Sequence, residues 1–367
     1  MASGDCGVVS EVRVSTYRVP TATPEADGTA TWEATEVVVV QVVAAGATGL
    51  GWSYCPVAAA GVVEGLLAPI VIGSSAFDVP GIWAQMIATV RNAGRPGLVS
   101  MAVGAVDTAL WDCKARLLEV ALHVLLGPVR EQVPVYGSGG FVSQTESELV
   151  DQLRGWVDDL GISQVKIKVG EGWGAEPERD LARARLARQT LGDEVELMVD
   201  ANGAYSPGQA RRLGRAYDDL GVTWFEEPLS SDDLPGLAAL RGTLQCDIAA
   251  GEYVDGVRTA TRMLSAQAVD CLQLDVTRCA GITEWLRCAA VAAGFGLSVS
   301  AHCAPSLHAA PAACIPNLRH VEFFADHARL EPMLFDGVLS AEGGMLRPSQ
   351  DVGNGLRLRP EAERFRC

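Results

Sequence analysis

The 367-residue sequence predicts an α+β domain followed by an α/β barrel of eight strands, on three observations. Up to Gly127 the chain has valine-rich stretches and then a long helical pattern; beyond it, short apolar runs alternate with helical segments. Those runs end near Ser138, Lys168, Asp200, Glu226, Glu252, Asp275, His302 and Glu322. Eight strand–helix units over about 200 residues is the rhythm of a barrel, in which C-terminal strand ends build the active site. Finally, Asp200, Glu226 and Glu252 stand at equal intervals of 26 residues, one strand plus one helix. The expected spans are 1–127, 128–333 for the barrel, and 334–367 for a C-terminal segment that packs back on the first domain.

Residues 9–19 and 36–45 are rich in valine and read as antiparallel strands, the second ending at Gly46-Ala-Thr-Gly49. Pro20 to Gly28, polar and punctuated by proline, reads as a loop and a candidate lid. Val57 to Leu126 is helical, most clearly where Val103, Val106, Leu110, Leu117 and Leu118 recur before Gly127-Pro128 stops the run. In the barrel, Thr145-Glu-Ser-Glu148 is a capping box, and Ser206-Pro207 places a cap before a proline at the first helical position. Turn residues at Glu342-Gly-Gly344 and Gly353-Asn-Gly355 mark the last segment, which lacks the barrel rhythm.

Composition narrows the partners. At 49% apolar and 20% charged residues the chain is that of a globular protein, and a net charge of -16 argues against nucleic acid or an anionic membrane as partner. No basic start leads into an apolar core and no run of 18 apolar residues appears, so a cytoplasmic location is expected. Ten scattered cysteines without a C-x-x-C pair suggest free, buried thiols, and Cys303 beside His302 is not a zinc spacing. Of 29 basic residues only Lys114, Lys166 and Lys168 are lysine. Two lysines two residues apart, in a chain that otherwise uses arginine, suggest a need for an amine that can lose its proton.

Each of the three spaced acids closes an apolar run, so parallel strands would bring them to one face of the sheet. Three converging carboxylates call for a hard divalent cation, Mg²⁺ for preference; the alternative is three ordinary acids at loop starts. In Gln164-Val-Lys-Ile-Lys-Val169 strand alternation places Val165, Ile167 and Val169 on one face and both lysines on the other. Facing the barrel, one lysine would lose its proton readily and serve as a base; otherwise both are solvated on an edge strand. The same alternation ends adjacent strands in Asp275 and His302, a carboxylate–imidazole pair suited to general acid or base work, unless His302 is a satisfied core histidine. His123, His308, His320 and His327 are assigned to structure. Glu322, if held protonated, could donate to a developing oxyanion; its alternative is a salt-bridged acid. Asn202 and Ser138 are candidate substrate ligands, and Glu227 could hold Glu226 in place. Gly137-Ser-Gly-Gly140 lacks the lysine of a phosphate loop, and no G-x-S-x-G elbow is present.

Taken in order, Lys166-Ile-Lys168, Asp200-Ala-Asn202, Trp224-Phe-Glu-Glu-Pro228, Ala250-Gly-Glu252, Asp275 with His302, and Glu322 resemble the mandelate racemase subgroup of the enolase superfamily. Asp107-Thr-Ala-Leu-Trp-Asp112 before Lys114 is similar to the helix that closes the family's capping domain. The resemblance implies an α+β N-terminal capping domain over a modified TIM barrel, (β/α)₇β. It further implies Mg²⁺ on Asp200, Glu226 and Glu252, Lys168 and His302 on opposite sides of the substrate's α-carbon, and a symmetric homo-oligomer. Arg278-Cys-Ala-Gly281 departs from relatives that carry a lysine after the sixth strand, which speaks against muconate-cycloisomerase or dipeptide-epimerase chemistry. The expected reaction is α-proton abstraction from a small carboxylate, with dehydration of an acid sugar to a 2-keto-3-deoxy acid favoured. Racemisation or epimerisation by the same bases is the alternative, and a non-catalytic metabolite-binding protein is the rival from another class. Substrate contacts are expected from the loops around Pro20 to Gly28 and Trp52-Ser-Tyr-Cys55.

Overall fold

The computed structural model describes residues 7–367; the start of the first expected span, with Cys6, lies outside the described residues. Three antiparallel strands come first, β1 (Val9–Ala26), β2 (Thr31–Ala44) and β3 (Ala47–Tyr54), with β2 central. The unbroken valine run of β2 reflects burial on both faces: Val37 and Val39 join the core shared with the barrel, while Val38, Val40 and Val42 join the core under this domain's helices. Helix α1 (Leu98–Leu117) crosses β3 so closely that a Cβ on Gly49 or Gly51 would lie 2.1 or 2.3 Å from the carbonyl oxygens of Ala109 and Ala105. Only glycine permits that approach.

Two expectations for this domain are corrected. Residues 20–26 are not a loop: β1 continues to Ala26 through an irregularity between Pro20 and Glu25, and the chain turns at 27–30. Proline is tolerated because β1 is an edge strand, with no ladder partner needed on its outer side. The Asp27 carboxylate closes the turn by accepting the Thr29 and Ala30 N–H groups, both at 2.7 Å. The stretch around Trp52 is likewise strand β3 and not a loop, with Trp52 buried against Phe335 at a ring separation of 4.4 Å.

Eight parallel strands follow: β4 (Val133–Gly139), β5 (Gln164–Lys168), β6 (Glu196–Asp200), β7 (Val222–Glu226), β8 (Asp247–Ala250), β9 (Cys271–Leu274), β10 (Ser298–Ala301) and β11 (Leu318–Phe324). Each pairs with the next and β11 closes on β4, giving the modified TIM barrel. Val165, Ile167 and Val169 face the surrounding helices as alternation requires. Tyr136, Met198, Trp224, Ala249 and Cys271 plug the interior below the strand ends. Both anticipated capping boxes form, Thr145 with Glu148 and Ser206 with Gln209.

The first domain caps the C-terminal mouth of the barrel. At the hairpin tip the Gly28 carbonyl accepts the Trp173 N–H and the Ala26 carbonyl accepts the Val142 N–H, each at 2.9 Å. Asp107 of α1 accepts the backbone N–H and hydroxyl of Thr283, at 2.9 and 2.6 Å, just beyond β9. The helix after β11, Ala325–Leu334, reaches the cap: Asp326 bonds the Thr35 hydroxyl, and the Tyr54 hydroxyl donates to Glu331. The C-terminal segment touches both parts. Asn354 bonds Asp112 and Leu50 of the cap, while Met345–Leu346 pairs antiparallel with β4. Among the described residues no helix is long and apolar enough to cross a membrane, and nine cysteines are free.

Candidate active site

Successive barrel strands each deliver one or two polar side chains to the mouth, so their order around the ring follows from their order in the chain. Lys166 and Lys168 come from β5, Asp200 ends β6 and Glu226 ends β7. Glu252 lies in the turn two residues beyond β8, Asp275 and His302 directly follow β9 and β10, and Glu322 lies within β11. All eight side chains are at least nine-tenths buried. Lys168 and His302 thus flank the three spaced acids, one on each side of the arc from β6 to β8.

The lysines are held by carboxylates. Lys166 Nζ lies 2.7 Å from Glu226, 2.9 Å from Glu322 and 3.7 Å from Asp200, while Lys168 donates to Asp200. Burial pushes both ammonium groups toward losing their protons. For Lys166, Glu226 and Glu322 outweigh it and the pKa stays well above the usual lysine value; for Lys168, Asp200 does the same. With no cation among the acids, the two lysines' mutual repulsion is outweighed by the carboxylates around them. The expectation for Glu322 is corrected. Burial favours its neutral form, yet Lys166 and His302 hold it well below the usual carboxylate range, so it is a salt-bridged anion and not a proton donor.

His302 Nδ1 is 2.8 Å from Asp275, whose other oxygen accepts the Thr277 N–H at 2.7 Å. The pair in register is therefore formed, leaving Nε2 toward the pocket. Burial alone would lower the imidazole's pKa, but Glu252 and Glu322 raise it above the usual histidine value.

The acids carry an electrostatic surplus. Asp200, Glu226, Glu227, Glu252, Asp275 and Glu322 crowd a region whose permanent cations are Lys166, Lys168 and Arg278, the last bonded to Glu252 at 2.7 Å. Burial and Asp200 push Glu226 up to about 8, and burial with Glu252 raises Glu227 as well. Among the described residues, Glu226 Oε1, Glu227 Oε1, Glu252 Oε2 and Asn202 Oδ1 are buried atoms with no hydrogen-bond partner. Unpartnered buried oxygens are costly unless something satisfies them. An all-oxygen donor set beside surplus negative charge fits a hard divalent cation such as Mg²⁺.

A cavity of about 410 Å³ opens above these groups. Lys168, Asn202, Glu252, Asp275, His302 and Glu322 line its barrel side, whereas Lys166, Asp200 and Glu226 lie beneath its floor. Ser138 is corrected as a direct substrate ligand: it is fully buried and off the cavity wall. The cap side presents Asp27, Trp32, Thr35, Glu36, Tyr54 and Cys55, so contacts expected from 20–28 come mainly from the first turn of β2. Thr31-Trp-Glu-Ala-Thr35 carries the β-branched and aromatic residues that could have extended that strand. His327, assigned to structure from sequence, also lines the cavity and stacks on Tyr54 with ring centroids 3.6 Å apart. Its Nδ1 accepts the Ala304 N–H, so Nε2 carries the proton, and burial pushes it down to about 4, leaving it neutral.

Comparison with known proteins agrees with this architecture. Residues 9–127 match "Mandelate racemase / muconate lactonizing enzyme, N-terminal domain" and residues 148–362 match "Enolase C-terminal domain-like". A mandelate racemase/muconate lactonizing enzyme-like protein from Rubrobacter xylanophilus superposes with a TM-score of 0.94 at 46% identity, covering 98% of this chain and all of that one. A racemase from Streptomyces coelicolor with bound magnesium gives a TM-score of 0.91 at 28% identity, over 98% and 99% of the two chains. The L-talarate/galactarate dehydratase of Salmonella typhimurium is 31% identical over 370 residues, 96% of this chain and 90% of that protein. The chain belongs to the mandelate racemase/muconate lactonizing enzyme family of the enolase superfamily.

Proposed function

We propose that this chain removes the α-proton of an acid sugar and dehydrates it to a 2-keto-3-deoxy acid. The observation that carries the reading is the arc of side chains at the barrel mouth: Lys168 and the Asp275–His302 pair flank the acids of β6 to β8 beside one cavity. Asp200, Glu226 and Glu252 would hold Mg²⁺, consistent with the buried oxygens that lack partners and with the magnesium bound to the Streptomyces racemase. The ion, when bound, supplies the positive charge that offsets the carboxylates around Lys168 and steadies the enediolate formed as the proton leaves.

Lys168 or His302 abstracts the α-proton. Asp275 fixes the ring of His302 and keeps Nε2 basic, so that this nitrogen can afterwards protonate a departing β-hydroxyl. Lys166, pinned between Glu226 and Glu322, stays protonated and presents fixed positive charge where the enediolate gathers negative charge. Asn202, at the cavity wall with its carbonyl unpartnered, is a ligand for the substrate or the ion.

The far wall bears on the substrate's other end. Both permanent cations on the cavity wall are committed, Lys168 to Asp200 and Arg278 to Glu252, and His327 is neutral. Asp27 and Glu36 add negative charge there, while Asp326 is paired with Arg329 at 2.6 Å. A hydroxylated, uncharged tail suits this wall and a second carboxylate does not, so an aldonic acid is favoured over an aldaric one. The test is incubation with aldonic and aldaric acids plus Mg²⁺, assayed for 2-keto acid. Formation of 2-keto acid supports dehydration. Solvent deuterium in recovered substrate without keto acid would replace it with racemisation or epimerisation. Binding without any proton exchange, unchanged in Lys168→Met, would make the chain a metabolite-binding protein.

A further inference from the structure

We propose that His302, Cys303 and Glu322 form a second metal site, selective for thiophilic divalent ions such as Zn²⁺, whose occupation takes His302 out of action. The reaction outlined above uses His302 and Glu322 but leaves the thiol between them without a role. Cys303 Sγ is 3.3 Å from His302 Nε2, and Glu322 Oε2 is 3.8 Å from the same nitrogen. One donor atom from each of the three residues falls within 4.8 Å of the others. Tetrahedral zinc with ordinary Zn–S and Zn–N bonds sets those two ligand atoms about 3.5 Å apart, close to the spacing present. All three residues line the cavity, which leaves an entry route and room for a water as fourth ligand.

The thiol is held where it is by a turn that few residues adopt. Cys303 and Ala304 both have positive φ, 53° and 42°, an unfavourable choice for two consecutive residues with side chains. Three contacts hold it: the Cys303 N–H donates to Glu322 at 2.9 Å, the His308 ring donates to the Cys303 carbonyl at 2.9 Å, and the Ala304 N–H donates to His327 at 3.1 Å. Asp275 on Nδ1 completes the carboxylate–histidine–metal arrangement that orients metal-binding imidazoles. The two sites differ in hardness: the spaced acids offer only oxygen, which suits Mg²⁺, whereas nitrogen and sulfur favour Zn²⁺ or Co²⁺. Adjacent cysteine and histidine gave no zinc spacing in the sequence because the third donor comes from β11.

The test uses the full-length protein in excess Mg²⁺. Titration with Co²⁺ should produce a near-ultraviolet thiolate-to-cobalt band that saturates at one equivalent and is bleached by Zn²⁺, and Cys303→Ser should lack it. Zn²⁺ should inhibit the wild type at concentrations about 100-fold lower than it inhibits Cys303→Ser, each protein being compared with its own activity without Zn²⁺. No band, a band unchanged in Cys303→Ser, or equal Zn²⁺ sensitivity of the two proteins overturns the proposal. Should Cys303→Ser not fold, anomalous diffraction from wild-type crystals soaked in Zn²⁺ decides. A peak among His302, Cys303 and Glu322 supports the site, and a peak only at Asp200, Glu226 and Glu252 refutes it. The cobalt and diffraction readouts do not depend on which reaction the enzyme performs.

Discussion

Lys168 and His302 arrive at the cavity by different routes, and their variants should fail differently. Lys168 closes a strand and is held by one carboxylate, so Lys168→Met removes the proposed base without opening the floor where Lys166 sits. His302 depends on its partner, and Asp275→Asn keeps the contact while removing the charge that fixes the tautomer. Each change should lower kcat by about 10²- to 10⁴-fold with KM little altered, as steady-state kinetics would show. The residue scale is also where sequence reading fell short. Alternation correctly aimed both lysines inward, since a strand's pleat is local. Their protonation was not legible because it depends on Glu226 and Glu322, 60 and 156 residues away in the chain from Lys166, whose proximity only the closed barrel creates.

At the scale of elements, the strands that organise the site were readable because each ends an apolar run in a polar residue. The cap was read less well. Edge position excused the prolines of β1, and glycines that make room for α1 disguised β3 as a turn. Two predictions concern how the cap meets the barrel. A Cβ on Gly28 would lie 2.7 Å from the Val169 carbonyl oxygen and 2.9 Å from that of Ala201, both backbone atoms that cannot yield easily. Gly28→Ala should therefore lift the hairpin tip and lower kcat/KM by up to about 10²-fold, with a much smaller change in Tm. The second concerns Glu331, on the helix that leads from β11 to Tyr54. Burial pushes its carboxyl up to about 7 from an ordinary 4.5, so the folded state holds this proton more tightly than the unfolded state does. Its contribution is fully present below pH 4.5 and is lost as pH rises through about 7. Glu331→Gln should match the wild type near pH 4 and exceed it by about 3 kcal/mol near pH 8. Thermal melts of both proteins across that range would show the crossover or its absence.

Across the whole molecule, a net charge of -16 and an acidic far wall act together against a doubly charged substrate. For an aldonic and an aldaric acid of matched configuration, kcat/KM should favour the aldonate by about tenfold or more; parity or the reverse would mean that a cation on the wall is freed when substrate binds. The barrel, the cap above it and the order of polar groups around its mouth follow from chain order alone. The cavity's cap side does not, because it is assembled from a hairpin, a third strand and a helix that meet only after both domains form. In the proposed reaction two bases beside a cluster of acids exchange a substrate's α-proton. Incubation of the Mg²⁺-loaded protein with a panel of aldonic acids in D₂O, followed by NMR at C2 and assay for 2-keto acid, tests it most directly. The wild type should lose the C2 proton and form keto acid, and a Lys168→Met/His302→Asn double variant should do neither. Exchange that persists undiminished in that variant, or wild-type binding of the acids with no exchange at all, would contradict it.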